Sequence, residues 1–137
     1  MLKNWSIAAT LACISVTVVP SYAASVDECQ DKMADIEDYA MCLDRIKNKT
    51  DRELQTWINN QTFELEELAS STGRRSSLDM FKRSQRNFID YRENNCRWQY
   101  LASSPSDKAA SVYKLCHILM TKNRIQELSL QEISPAK

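Results

Sequence analysis

The chain contains very few of the residues that make tight turns. Its 137 residues include one glycine, Gly73, and three prolines, of which only Pro105 and Pro135 follow the N-terminal apolar segment. A β-sandwich or barrel needs turn signals about every 8 to 12 residues, and Gly and Pro are their strongest markers. The composition therefore predicts an all-α fold, a small antiparallel bundle of about four helices joined by short loops.

The chain also lacks an excess of charge. Its 18 Lys and Arg balance 18 Asp and Glu, and loss of the N-terminal segment with Lys3 would leave 17 against 18. Binding to nucleic acid or to anionic lipid relies on clustered Lys and Arg. We therefore expect neither nucleic acid nor a membrane surface as a partner.

Histidine is nearly absent, which limits the chemistry that the chain can perform. His117 is the only one, and it follows Cys116 directly, so the two side chains would point in different directions on a helix. A zinc site of four cysteines normally shows paired C-x2-C motifs, which are missing here. The carboxylates are expected on outer helix faces rather than facing each other across a cleft. We expect no catalytic residue, no metal and no cofactor.

The first residues have the pattern of a secretory signal peptide. Lys3 precedes a largely apolar run over residues 5–19, which is followed by Pro20 and a small-x-small ending at Ala23. The run is shorter than the roughly 20 residues of a membrane-spanning helix. We expect cleavage after Ala23, a periplasmic or secreted protein and no stable membrane insertion. An uncleaved anchor is the alternative, and Cys13 lies in a sequence that only loosely resembles a lipidation site.

Four cysteines remain after that segment, an even number typical of disulfides in an exported protein. Four cysteines allow three pairings. Their spacing favours Cys29 with Cys42 and Cys96 with Cys116, each joining neighbouring segments across a turn.

Apolar residues recur at intervals of three and four along the rest of the chain, which predicts four helices. The first begins at an Asp35 cap and ends near Lys47 to Lys49, and a second follows a short break and is capped by Thr50 or Asp51. The inner faces of these two helices are expected to carry Ile36, Tyr39, Ala40, Leu43 and Ile46, and then Leu54, Trp57, Ile58, Gln61, Leu65 and Leu68.

A loop over residues 70–77 separates these helices from a second pair. The third helix is predicted over residues 78–100, and Asp107 is expected to cap the fourth after a turn around Pro105. The inner faces are expected to carry Leu78, Phe81, Gln85, Phe88, Tyr91 and Trp98, and then Ala109, Val112, Tyr113, Cys116, Leu119, Met120 and Asn123. The helical domain would span residues 24–128, with a fraying tail over 129–137.

Charge is unevenly distributed along the chain. Residues 27–44 hold seven acidic residues and one basic residue, whereas residues 74–97 hold seven basic and three acidic residues. The two stretches either pair with each other, which contributes little energy at a surface, or one of them meets a partner of opposite charge.

Arg92 and Arg124 occupy comparable places on two amphipathic helices. Each could make a buried charge-assisted hydrogen bond that holds the helices together, or present its planar guanidinium to a partner. The structural role is the one that we favour, because long helices need polar links at their rims.

Several of these residues form a recognisable pattern. The residues Gln85, Phe88, Tyr91, Arg92, Glu93 and Cys96, followed by Cys116, Thr121, Arg124 and Leu128, resemble the motifs of the LprI-type lysozyme inhibitors of bacterial envelopes. The pair Cys29 and Cys42 and the spacing of Asp51 and Leu54 resemble the N-terminal part of that family. Phe88, Glu93 and Gln55 stand where the family usually has Trp, Asp and Asn.

The resemblance implies an exported protein that binds and occludes a lysozyme, a muramidase of the host. Lysozymes are typically basic, so the acidic stretch would be the docking face, with Asp35, Glu37 and Asp38 as candidate binding residues. The alternative is a periplasmic structural or adaptor module that binds an envelope or secretion-system partner. The oligomeric state is left open.

Overall fold

The computed structural model describes residues 24–131 and shows three long helices rather than four. A single turn of helix, α1 (Ala24–Asp27), and a 3₁₀ turn (Gln30–Lys32) precede α2 (Ile36–Thr72), α3 (Ser76–Ser103) and α4 (Ala109–Ser129). The described residues contain no strand, so the all-α prediction is confirmed. The predicted signal peptide and the last six residues of the predicted tail lie outside the described residues.

The prediction of a break at residues 48–51 is wrong, and α2 continues through this segment. The buried stripe formed by Leu43, Ile46 and Leu54 passes through Thr50, which is also buried, so the helical spacing is never interrupted. The Thr50 hydroxyl donates to the carbonyl oxygen of Lys47 over 2.9 Å. No glycine or proline lies within the helix, so the polar residues alone do not end it.

Both ends of α2 are set by local sequence. The Asp35 carboxylate accepts hydrogen bonds from the backbone N–H groups of Glu37 and Asp38, at 2.9 and 3.0 Å, as predicted for its N-cap. Gly73 ends the helix in the left-handed region with φ of 72°, and its N–H donates to the Ala69 carbonyl over 2.9 Å. A residue with a Cβ atom would be strained in this conformation, which explains the single glycine of the chain.

The turn between α3 and α4 is capped differently from the prediction. Lys108, not Asp107, immediately precedes the first residue of α4, and its side chain makes no capping hydrogen bond. The Ser106 hydroxyl accepts the backbone N–H of Lys108 over 3.2 Å instead. The choice between neighbouring polar residues depends on the backbone of the turn, which contains Pro105, and spacing alone does not determine it.

The three helices run up, down and up, with α2 and α4 parallel. Lys114 near the start of α4 bonds to Asp44 near the start of α2, and Gln61 reaches the carbonyl oxygen of Leu128 near the end of α4. Helix α4 packs extensively on both neighbours, whereas α2 and α3 share a smaller contact. Two apolar clusters form the core, one around Cys29, Cys42, Leu43, Ile46 and Ile118, the other around Leu54, Ile125 and Leu128.

Some predicted inward residues lie outside. Tyr91, Trp98 and Leu119 are 61%, 58% and 51% exposed, and Asn123 is exposed as well. On α3 the buried stripe passes through Arg92 instead of Tyr91. The spacing of apolar residues could not predict that Arg92 is buried, because a charged residue is buried only where another helix supplies a partner for it. On α4 apolar residues occur on several faces, so their spacing does not identify the inner one.

Both predicted disulfides are present. Cys29–Cys42 joins the segment after α1 to the first turns of α2, with 5.8 Å between the Cα atoms. Cys96–Cys116 joins α3 to α4, with 5.5 Å between the Cα atoms. The first bridge holds the acidic N-terminal segment on the bundle, and the second holds the α3–α4 hairpin closed.

Candidate functional site

The motif residues meet in a polar network at the centre of the three helices. Arg92 of α3 is only 8% exposed, and its Nη1 donates to Asp51 Oδ1 over 3.0 Å and to Thr121 Oγ1 over 2.6 Å. The Thr121 hydroxyl donates in turn to the carbonyl oxygen of His117 over 2.7 Å. Lys47 supplies a second cation to Asp51, with Nζ and Oδ2 3.2 Å apart. One guanidinium thus links all three helices.

His117 lies beside this network and is 4% exposed. Its Nδ1 is 3.9 Å from Asp51 Oδ1, but burial, together with the Arg92 cation, lowers the pKa of His117 from 6.5 to about 4. The imidazole is therefore neutral at pH 7. It is enclosed by the bundle, where no substrate could reach it as a base.

Tyr113 and Glu93 form a second link between α3 and α4. The Tyr113 hydroxyl donates to Glu93 Oε2 over 2.6 Å. Burial and this hydrogen bond raise the pKa of Tyr113 to about 12, so the phenol keeps its proton. Glu93 of the motif is thereby committed to a structural contact.

Arg124 extends the network toward the end of α4. Its guanidinium donates to Gln85 Oε1 over 3.3 Å and to Ser84 Oγ over 2.9 Å, and it pairs with Glu127 at 2.7 Å. The guanidinium carbons of Arg92 and Arg124 lie 5.5 and 5.6 Å from the centre of the Phe88 ring. Such cation–π contacts explain an aromatic residue between two arginines. The interpretation of both arginines as links between helices agrees with these contacts.

Sequence reasoning missed the role of Asp51. It predicted a helix cap, whereas Asp51 lies within α2 and receives both Arg92 and Lys47. The available signal was its resemblance to a family motif position three residues before Leu54. Gln61 was predicted as inward and is 5% exposed; its Nε2 donates to the carbonyl oxygens of Leu128 and Gln131, at 3.4 and 3.2 Å.

The acidic candidate residues lie together at the start of α2. Asp35 is engaged as the N-cap, while Glu37 and Asp38 occupy the exposed first turn. Carboxylates at this position interact favourably with the positive end of the helix dipole. Within residues 24–131, neither Glu37 nor Asp38 forms an ion pair. Two carboxylates are thus available to a partner at this end.

The acidic and basic stretches do not pair with each other in the structure. The ion pairs of Asp44, Lys82 and Arg92 are made with Lys114, Glu66 and Asp51, none of which joins one stretch to the other. Helix α2 has 37 residues and is therefore about 55 Å long, with the acidic stretch at its start and the basic stretch beginning beyond its end. The acidic stretch and the beginning of the basic stretch therefore lie at opposite ends of α2.

Several candidate anchors of a partner are exposed. Trp98 and Tyr100 near the end of α3 are 58% and 39% exposed, whereas Trp57 packs on the Leu54 cluster. Tyr91, the motif residue beside Arg92, points to solvent with 61% of its surface exposed. Among the motif residues, Tyr91 is therefore the one whose side chain is most available for binding.

Neither a metal-binding cluster nor a membrane-spanning helix occurs in the described part of the chain. Residues 24–131 contain no group of three or more His, Cys, Asp or Glu side chains that could hold a metal. None of the described helices is both long and apolar enough to cross a bilayer. The motif residues instead serve to fasten three helices together.

The fold and the network define a class, the small disulfide-bridged helical proteins whose helices are held together by a buried polar network. Within this class, the family model of the lysozyme inhibitor LprI matches residues 29–128. The chain belongs to this family, as the motif residues indicated. No curated protein and no solved structure gives a significant match.

Proposed function

We propose that the protein is an exported inhibitor that binds a host muramidase and blocks access to its substrate. The observation that carries the proposal is the match of the LprI lysozyme inhibitor family over residues 29–128, which spans both disulfides, α2, α3 and all but the last residue of α4. An inhibitor of this kind needs no chemistry of its own. It needs a rigid surface that covers on the order of 800 Å² of the enzyme.

The cross-linked scaffold suits that role. Two disulfides and the Arg92 network restrict the helices before any partner binds, which reduces the entropy lost on association. Disulfides are also stable in the oxidising compartments outside the cytoplasm, where a muramidase would be met. Export after cleavage at Ala23 is part of the proposal.

The acidic end is the docking face that we propose. Muramidases are typically basic, and exposed carboxylates such as Glu37 and Asp38 would raise the association rate by electrostatic attraction. The Cys29–Cys42 bridge keeps the rest of the acidic stretch close to the start of α2. Asp35 contributes mainly by capping the helix that carries these carboxylates.

The test is muramidase activity on cell-wall substrate with increasing amounts of the oxidised protein that begins at Ala24. Saturable inhibition near equimolar amounts supports the proposal. An unrelated acidic protein of similar size is the first control, because inhibition caused by negative charge alone would also appear with it. A reduced sample is the second control, because inhibition that does not need the disulfides would persist in it. Failure to inhibit any of several basic muramidases would reject this function.

A further inference from the structure

An apolar groove runs along the outer side of α4. Its floor is formed by Val112, Leu115, Ile118 and Leu119, and Val26 of α1 and Gln99 of α3 form its walls. The groove encloses about 440 Å³ and is lined mainly by apolar surface. This volume lies within the range of sites that accept a buried group of a ligand or partner.

Part of the floor of the groove is apolar surface that the bundle leaves exposed, although Ile118 at its base is fully buried in the core. The inner side of α4 is already occupied by the contacts of Thr121, Ile125 and Leu128 with α2 and α3. Leu119 on the outer side is nevertheless 51% exposed, in line with Val112 and Leu115. When a helix carries apolar residues on its outer side as well as its inner side, the outer side is expected to be covered by a binding partner.

The segment that continues from Val26 at the α1 side of the groove is acidic, and we call it the rim of the groove. Val26 is followed directly by Asp27 and Glu28, and Asp31 lies in the next turn; all three carboxylates are exposed. Lys122 is the one cationic residue of the lining, and burial lowers its pKa. An apolar centre with a charged rim is the usual composition of a protein-binding surface.

We propose that this groove is the binding site for an apolar side chain on the surface of the muramidase, flanked there by basic residues. The charges select this occupant, because the acidic rim matches a basic enzyme and disfavours a second copy, which would bring the same carboxylates close together. The inference rests on the proposed function and assigns its docking surface. Attraction to the rim governs association, and burial in the groove governs dissociation.

Leu119→Arg tests the groove, with Phe63→Arg as the matched control. Phe63 is 67% exposed on the far half of α2, so both changes place an arginine at an exposed apolar position of a helix. We expect Leu119→Arg to weaken muramidase binding about tenfold or more, mainly through faster dissociation, and Phe63→Arg to change it by less than about twofold. Thermal unfolding of both variants verifies that the fold is retained.

The rim is tested by Asp27→Lys combined with Asp31→Lys, with Glu64→Lys combined with Glu67→Lys as the control at the other end of the molecule. The first pair should slow association about tenfold at low salt, and the difference should shrink as salt rises. The control pair should leave association nearly unchanged. Equal slowing by both pairs would show that net charge, rather than the rim, attracts the enzyme and would overturn this step.

The outcomes separate the two proposals. If the unmodified protein inhibits and Leu119→Arg inhibits equally well, the groove is not the docking surface, although the inhibitor function stands. If Leu119→Arg converts a dimer to a monomer in sedimentation, the groove binds a second copy and the inference is wrong. If the unmodified protein binds no muramidase, the proposed function fails and the inference fails with it.

Discussion

Arg92 on α3 and Asp51 on α2 are 41 residues apart in the chain and form a 3.0 Å ion pair inside the bundle. Asp51 is 33% exposed at its side chain, whereas Arg92 is 10% exposed, so the pair lies where the core meets the surface. The guanidinium also holds Thr121 of α4. Through this one guanidinium, α2 and α3 are therefore both linked to α4.

Replacing Arg92 by Met should lower the free energy of unfolding by about 2 to 3 kcal/mol, because Asp51 and the Thr121 hydroxyl would lose a buried donor. Lys82→Met is the control, since Lys82 also joins α3 to α2 but pairs with Glu66 at an exposed site. It should cost less than about 1 kcal/mol. Denaturant unfolding measures both. Equal losses of unfolding free energy would mean that the Arg92 network contributes no more to stability than an exposed ion pair.

The pairing of Arg92 with Asp51 could not be predicted from the sequence, whereas the pairing of Cys96 with Cys116 could. Cys96 and Cys116 could be paired because they lie at similar distances from one turn, so local spacing determines their meeting. The meeting of Arg92 with Asp51 depends on the angle between α2 and α3, which no local rule gives. The continuity of α2 through Thr50 was missed for a related reason: its burial depends on packing against the rest of the bundle.

The candidate site shows the same division. The acidic start of α2 and its Asp35 cap follow from the sequence, and both are present. The α4 groove does not, because it forms between α1, α3 and α4, and the spacing rule placed Leu119 on the inner side. A helix that is apolar on two sides gives the same sequence signal whichever side faces the core.

The stability of the protein should depend on pH through His117. The unfolded imidazole titrates near 6.5, and burial lowers the folded pKa to about 4. The unfolded chain therefore binds more protons between these values, and the stability present above pH 6.5 is lost as the pH falls. The loss should be at most about 1.4 kcal/mol per pH unit.

Comparing the variant His117→Gln with the unmodified protein isolates the contribution of His117, because the carboxylates titrate in both. The difference in unfolding free energy between the two should narrow as the pH is lowered from 7 to about 4.5. The chain has one histidine, so its single imidazole signal in a proton NMR titration reports the folded pKa directly. A midpoint at or above 6.5 would contradict the burial argument.

The two disulfides should differ in what their removal changes. Loop closure predicts about 3 kcal/mol for each, since the bridged cysteines are 13 and 20 residues apart. Replacing Cys29 and Cys42 by Ser should also release α1 and the acidic segment, so muramidase binding should fall while α3 and α4 stay joined. Replacing Cys96 and Cys116 should reduce stability with a smaller effect on binding. Circular dichroism and binding measured below the unfolding transition separate these outcomes.

Asp35 and Glu37 should be separable into a structural and a binding role. Asp35→Ala removes the acceptor of two backbone N–H groups and should cost about 1 kcal/mol, whereas Asp35→Asn keeps the cap and should cost only a few tenths. Glu37→Lys leaves the cap intact, and its unfavourable effect on the helix dipole should stay below about 1 kcal/mol. Under the docking proposal, Glu37→Lys nevertheless slows association with a basic muramidase more than Asp35→Asn does. The measurement is association rate at low and high salt beside thermal unfolding of each variant, and an unchanged rate for Glu37→Lys would exclude the start of α2 from the docking face.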